Sequence, residues 1–85
     1  MSGIKIYKYN EKCNACGESI RKERESAGLS QEQLAARLQL NGINLNQKAI
    51  SRIETGERVI ADYELFVFAK VFRVKLDYLF NDNMK

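Results

Sequence analysis

Gln47, Lys48, Ser51 and Arg52 fall in the run Leu45-Asn46-Gln47-Lys48-Ala49-Ile50-Ser51-Arg52-Ile53-Glu54-Thr55-Gly56. On a helix, at roughly 100° per residue, these four and Thr55 lie within an arc of about 140°. Ala49, Ile50 and Ile53 lie on the opposite side. Arginine and lysine can donate to O6 and N7 of a guanine, and glutamine can pair with N6 and N7 of an adenine. The chemistry offered is therefore hydrogen bonding to the edges of bases. On an isolated helix such a face would be ordinary solvated surface, so its surroundings decide.

A second candidate is Cys13-Asn14-Ala15-Cys16. Two cysteines at this spacing near a helix start can lower a thiolate pKa, or supply half of a four-ligand zinc site. The chain has no other cysteine and no histidine. A complete tetrahedral site would need two chains or carboxylate ligands, and no thioredoxin-like strand–helix pattern surrounds the pair. Inert structural thiols are the preferred reading, with no cofactor and no metal expected. Zinc or redox sensing by Cys13 and Cys16 stays open as a lesser one. Without histidine the commonest general base is missing. No glycine-rich phosphate loop or carboxylate pair suggests hydrolysis, and no small-molecule ligand is evident. The chain reads as a non-enzyme.

The elements that must position the base-reading face are legible from their ends. Ser30 and Gln33 have the spacing of a capping box, in which each side chain bonds the other's backbone amide. Leu29 and Leu34 flank that cap as a hydrophobic staple, and Leu45 and Ile50 repeat the staple around the Asn46 cap. Gly28 and Gly56 supply left-handed stops, and Asn41-Gly42 interrupts the pattern between the two caps. The spacing predicts helices over about 15–27, from Ser30 to Asn41, over 46–56 and over 62–72, with a short last one over 76–80. Ile20 and Ala27 should face inward on the first, and Leu34, Ala35 and Leu38 on the second. The 62–72 helix is apolar almost all round, so it is central to the core or also faces a partner. The tail from Asn81 should fray.

Two capped helices joined by one short turn, the second bearing a polar cationic face, are how a protein offers a helix to the DNA major groove. At 85 residues, 45% of them apolar, the chain has room for one small core. We divide it into an arm (1–13), a domain (14–81) and a frayed tail (82–85). The net charge of +3 suits a nucleic-acid partner without demanding one. Residues 1–24 carry six lysines and arginines against three acids, so the excess sits in the arm and first helix. The arm itself could be a short strand, a flexible tail or a segment reaching DNA. No apolar run is long enough to cross a membrane, and no secretion signal is visible, which points to the cytoplasm.

From Ile20 to Phe80 the chain resembles the lambda-repressor/Cro (XRE-type) helix-turn-helix regulators. The residues that carry this are Gly28-Leu29-Ser30-Gln31, Leu34-Ala35, Ile50-Ser51-Arg52-Ile53-Glu54-Thr55-Gly56 and the closing Ala69 … Val74-Lys75-Leu76-Asp77-Tyr78-Leu79. The resemblance implies an all-α, five-helix domain that binds operator double-stranded DNA as a homodimer and regulates transcription as a repressor. It implies that Gln47, Lys48, Ser51 and Arg52 face the bases, and that Gln31, Asn46 and Arg58 anchor the backbone. It also implies a structural ion pair between Arg24 and Glu54. Three departures stand out. The linker from Asn41 to Leu45 is long for this turn, so the helix before it is extended or the loop bulges, bringing Asn41 or Asn44 toward DNA. Arg73 occupies the position where glycine is usual, and Lys75 replaces a good cap before the last helix. Another reading keeps the fold but makes it a protein-interaction module, antitoxin-like or an adaptor.

Overall fold

Four helix ends in this chain share one hydrogen-bond pattern, and that pattern sets where each helix stops. In a computed structural model, which describes residues 11–83, α1 spans Gly17–Ser26, α2 Gln31–Leu40, α3 Gln47–Glu54 and α4 Asp62–Phe72. After α1, α2 and α3 the chain turns through Gly28, Gly42 and Gly56, all at positive φ. At each, the glycine's amide and the one after it reach back to carbonyls of the last turn, as in Leu29 N to Arg24 O at 3.1 Å and Ile43 N to Leu38 O at 3.0 Å. α4 ends the same way, with Val74 N on Ala69 O at 3.0 Å, but the left-handed residue is Arg73 at φ 59°. A side chain there is strained where glycine is not. Arg73→Gly should therefore raise the unfolding free energy by about 0.5–1 kcal/mol, measured by urea denaturation. No gain would mean that the side chain makes compensating contacts.

The starts are equally local. Ser30 Oγ accepts from Gln33 N while Gln33 Oε1 accepts from Ser30 N, closing the expected capping box. Asn46 Oδ1 accepts from Ala49 N. α4 begins at Ala61, which has no side-chain acceptor; only the reverse bond is made, from Ala61 N to Glu64 Oε1. The last helix is a 3-10 helix over Leu76–Asn83 rather than a fifth α-helix. Lys75 cannot cap it, and the tighter i→i+3 ladder begins with Tyr78 N on Lys75 O. It also continues through residues 81–83, which the sequence assigns to a fraying tail.

Ile20, Leu34, Leu38, Ile50, Ile53, Phe68 and Leu79 are fully buried and draw one core from every helix. Phe68 stacks on Phe72 with ring centroids 6.2 Å apart. α1 packs against α3, α4 and the 3-10 helix, and α2 against α3 and α4. Ala35 is half-buried, and Ala27, expected to face inward, is exposed. Ala27 is the C-cap of α1, at the end of the helix just before the chain turns away at Gly28. The arm's residues 1–10, and with them its three possible roles, lie outside the described residues.

Candidate nucleic-acid interface

α3 divides as its sequence requires. Ile50 and Ile53 are fully buried, while Gln47, Lys48 and Arg52 are exposed and Ser51 and Ala49 are intermediate. The Arg52 guanidinium lies 3.9 Å from Glu57, with both side chains more than half exposed. A contact of that kind is worth little in water and leaves Arg52 available to a ligand.

Beneath this face runs a chain of polar contacts. Gln47 Nε2 donates to Gln31 Oε1 at 2.6 Å, and Gln31 Nε2 donates to Glu54 Oε1 at 3.0 Å. Arg24 grips the same carboxylate with two bonds, Nε to Oε2 at 2.7 Å and Nη2 to Oε1 at 3.1 Å. Its remaining Nη1 donates to the Leu29 carbonyl at 2.8 Å. The side chains of Arg24 and Glu54 are 12% and 3% exposed, so this pair is largely out of water. The bonds to Glu54 hold the Arg24 pKa above its ordinary value against the opposing effect of burial. A bidentate fork of this geometry fixes α1 against α3 and neutralises an acid that would otherwise repel phosphate. It also aims Gln31, at the start of α2, toward Gln47, at the start of α3. The two glutamines thus form one edge, with Gln47 exposed and Gln31 half-buried.

Asn46 is exposed and sits at the α3 start, with its Oδ1 used in the cap. Arg58, in the loop after α3, is half-buried. Its guanidinium donates to both oxygens of the buried Glu64, Nη1 to Oε1 at 3.0 Å and Nη2 to Oε2 at 3.2 Å, and Nη1 also reaches the Val59 carbonyl. Burial would push Glu64 up; the bonds from Arg58 and Ala61 N outweigh it and hold the carboxyl below its usual range. Arg58 thus tethers the α3–α4 loop to α4 while a third of its side chain stays in solvent. An adjacent buried acid, invisible at the sequence level, claims it.

The long turn resolves in favour of a loop. α2 stops at Leu40, and residues 41–46 form the connection. Ile43 and Leu45 are buried, while Asn41 and Asn44 point out. Asn41 Nδ2 is engaged by the Arg37 carbonyl at 2.9 Å. Apolar anchors on either side of Asn44 hold the loop against the body.

Asn14 is the residue that sequence reasoning missed. Its Oδ1 accepts from Cys16 N at 3.1 Å and Gly17 N at 2.7 Å, capping the start of α1, whose i→i+4 ladder opens with Ile20 N on Cys16 O. Its Nδ2 donates to Ile53 O at 3.0 Å, in the last turn of α3, and to Arg58 O at 2.8 Å, in the loop that follows. One amide therefore ties the first turn of α1 to the last turn of α3. The signal was present as an asparagine three residues before Gly17, a favoured capping type; the flanking cysteines drew attention from it. Of those, Cys16 is buried in the core and burial pushes its thiol up to about 11. Such a group is protonated at neutral pH, the opposite of an activated thiolate. Cys13 is half-buried, and its amide bonds to the Gly56 carbonyl at 2.8 Å. Among the described residues no group of three or more metal-ligating side chains is assembled.

Two caps and a turn that bring the start of α2 to the start of α3, with a solvent-facing cationic stripe beside them, define a helix-turn-helix unit. A family model described as helix-turn-helix matches residues 20–79, most of the chain. The protein belongs to the XRE-type, lambda-repressor/Cro-like helix-turn-helix family. That family is one of DNA-binding regulatory domains and is not typically enzymatic. No curated protein shows significant similarity to the chain. No helix among the described residues is long and apolar enough to cross a membrane.

Proposed function

We propose that this protein is a sequence-specific transcriptional repressor that occupies operator DNA as a homodimer. What supports this most is the partition of α3, with Lys48 and Arg52 in solvent, Ile50 and Ile53 in the core, and Gln47 held by Gln31. In this reading Arg52, Lys48 and Gln47 contact base edges and Ser51 sits between them. Gln31 and Asn46 fix the register on the sugar-phosphate backbone, which positions the protein without carrying sequence information. Two copies place their α3 helices in successive major grooves about one helical turn apart and exclude polymerase by occupancy.

Selecting bound sites from random double-stranded DNA tests the reading. It should yield a preferred sequence with two related halves, bound more weakly as salt rises because phosphate contacts release counterions. On the selected site, Arg52→Ala should lose roughly 1–3 kcal/mol and relax the preference at one base pair. Equal loss on random DNA in the same titration would remove Arg52 from base reading. An absence of salt-dependent DNA binding would favour the protein-interaction reading of the fold.

A further inference from the structure

α4 has a second face that its own domain does not cover. Phe68 and Ala69 lie in the core, whereas Tyr63 and Phe66 are 62% and 64% exposed, and Val59, just before the helix, is 52% exposed. Single exposed apolar side chains are ordinary, but two aromatic rings three residues apart on one helix face, with a third exposed apolar residue just before the helix, form a patch that calls for a partner. Asp62 and Lys70 are also exposed, four residues before and four after Phe66. Neither has an ion-pair partner among the described residues. At roughly 100° per residue, Asp62 and Lys70 lie about 40° to either side of Phe66, so the stripe is symmetric about that ring.

We propose that this face binds the same face of a second copy, with the two α4 helices antiparallel and crossing at Phe66. A two-fold axis through that point brings Asp62 of one chain opposite Lys70 of the partner subunit, and symmetry makes the contact twice. Phe66 meets its own copy at the centre, with Tyr63 and Val59 extending the apolar contact. Antiparallel packing also sets the helix dipoles in opposition. A parallel pairing would set Asp62 against Asp62 and Lys70 against Lys70, so charge alone selects the antiparallel register. The inference rests on the dimeric reading above and names its surface.

Sedimentation velocity on the full chain over a range of concentrations tests it without DNA. The parent should show a monomer–dimer equilibrium. Phe66→Lys should weaken it at least ~30-fold, as expected of a central aromatic anchor. Asp62→Lys and Lys70→Asp should each weaken it roughly 10-fold, since each sets like charges face to face twice. Mixing those two variants should restore association, because the mixed pair has opposite charges at both contacts. The double variant Asp62→Lys/Lys70→Asp should restore it too. Thermal melts by circular dichroism confirm that each variant is folded. A parent that stays monomeric, a Phe66→Lys variant that dimerises like the parent, or a mixture no tighter than its components would overturn the proposal. A parent that associates only with an unrelated protein would do the same. Salt-dependent binding of the monomeric variants to one operator half-site is read separately. An absence of salt-dependent DNA binding by the parent itself, with its self-association intact, would refute the DNA reading and leave this surface standing.

Discussion

Arg24→Ala should lower the unfolding free energy by about 3–5 kcal/mol, the largest loss expected from any single polar substitution in this chain. The magnitude follows from what remains behind. Glu54 is 3% exposed at its side chain and receives bonds from Arg24 and Gln31. Removing the guanidinium leaves a buried carboxylate with one neutral donor, and the desolvation cost is no longer offset. The Leu29 carbonyl loses its Arg24 partner as well. The pair need not add much relative to an apolar replacement, so Arg24→Ala/Glu54→Leu should recover much of the loss. Urea denaturation of the two variants decides this. A single substitution costing under about 1 kcal/mol would show that water reaches the carboxylate and that the pair behaves as a surface bridge. DNA binding should fall by more than stability alone explains. Without Arg24, an uncompensated negative charge lies next to Gln31, the residue proposed to meet the DNA backbone.

The parts of this molecule that sequence reading captures are those decided within one turn of chain. The Ser30–Gln33 box, the Asn46 cap, the stops at Gly28 and Gly56 and the limits of α4 each depend on residues three or four apart. The division of α3 into two faces is equally local. What escaped depends on contacts between distant segments. Asn14 meets Ile53 and Arg58 across 39 and 44 residues, and no periodicity encodes that. The Arg58–Glu64 pair is close in sequence but spans a loop, so helical spacing does not reveal it. The resemblance carried the Arg24–Glu54 pairing but not the Gln31 bond that joins it to the exposed edge. The 3-10 geometry of the last helix reflects a missing cap at Lys75, which the sequence flagged without fixing its outcome.

Gly17→Ala should cost about 2–3 kcal/mol, although alanine is the better helix former. A Cβ built on Gly17 would lie 2.3 Å from the Ile53 carbonyl oxygen and 3.1 Å from both Glu54 O and Asn14 Oδ1. The closest obstacle is backbone, in the last turn of α3, and it cannot rotate aside as a side chain could. α1 would have to back away from α3, stretching the Asn14 bonds to Ile53 O and Arg58 O that join them. Gly28 supplies the contrast. It sits at φ 72° with nothing within 4 Å of an added Cβ, so Gly28→Ala meets strain alone and should cost about 1–2 kcal/mol. For a domain of this size each kcal/mol moves the melting temperature by roughly 4–8 °C. Thermal melts should therefore place Gly17→Ala below Gly28→Ala, and both below the parent. A Gly17→Ala protein that melts at or above the parent would mean that α1 and α3 are not in close backbone contact. α3 would then lose the support at its C-terminal end that Asn14 and Gly17 are argued to give.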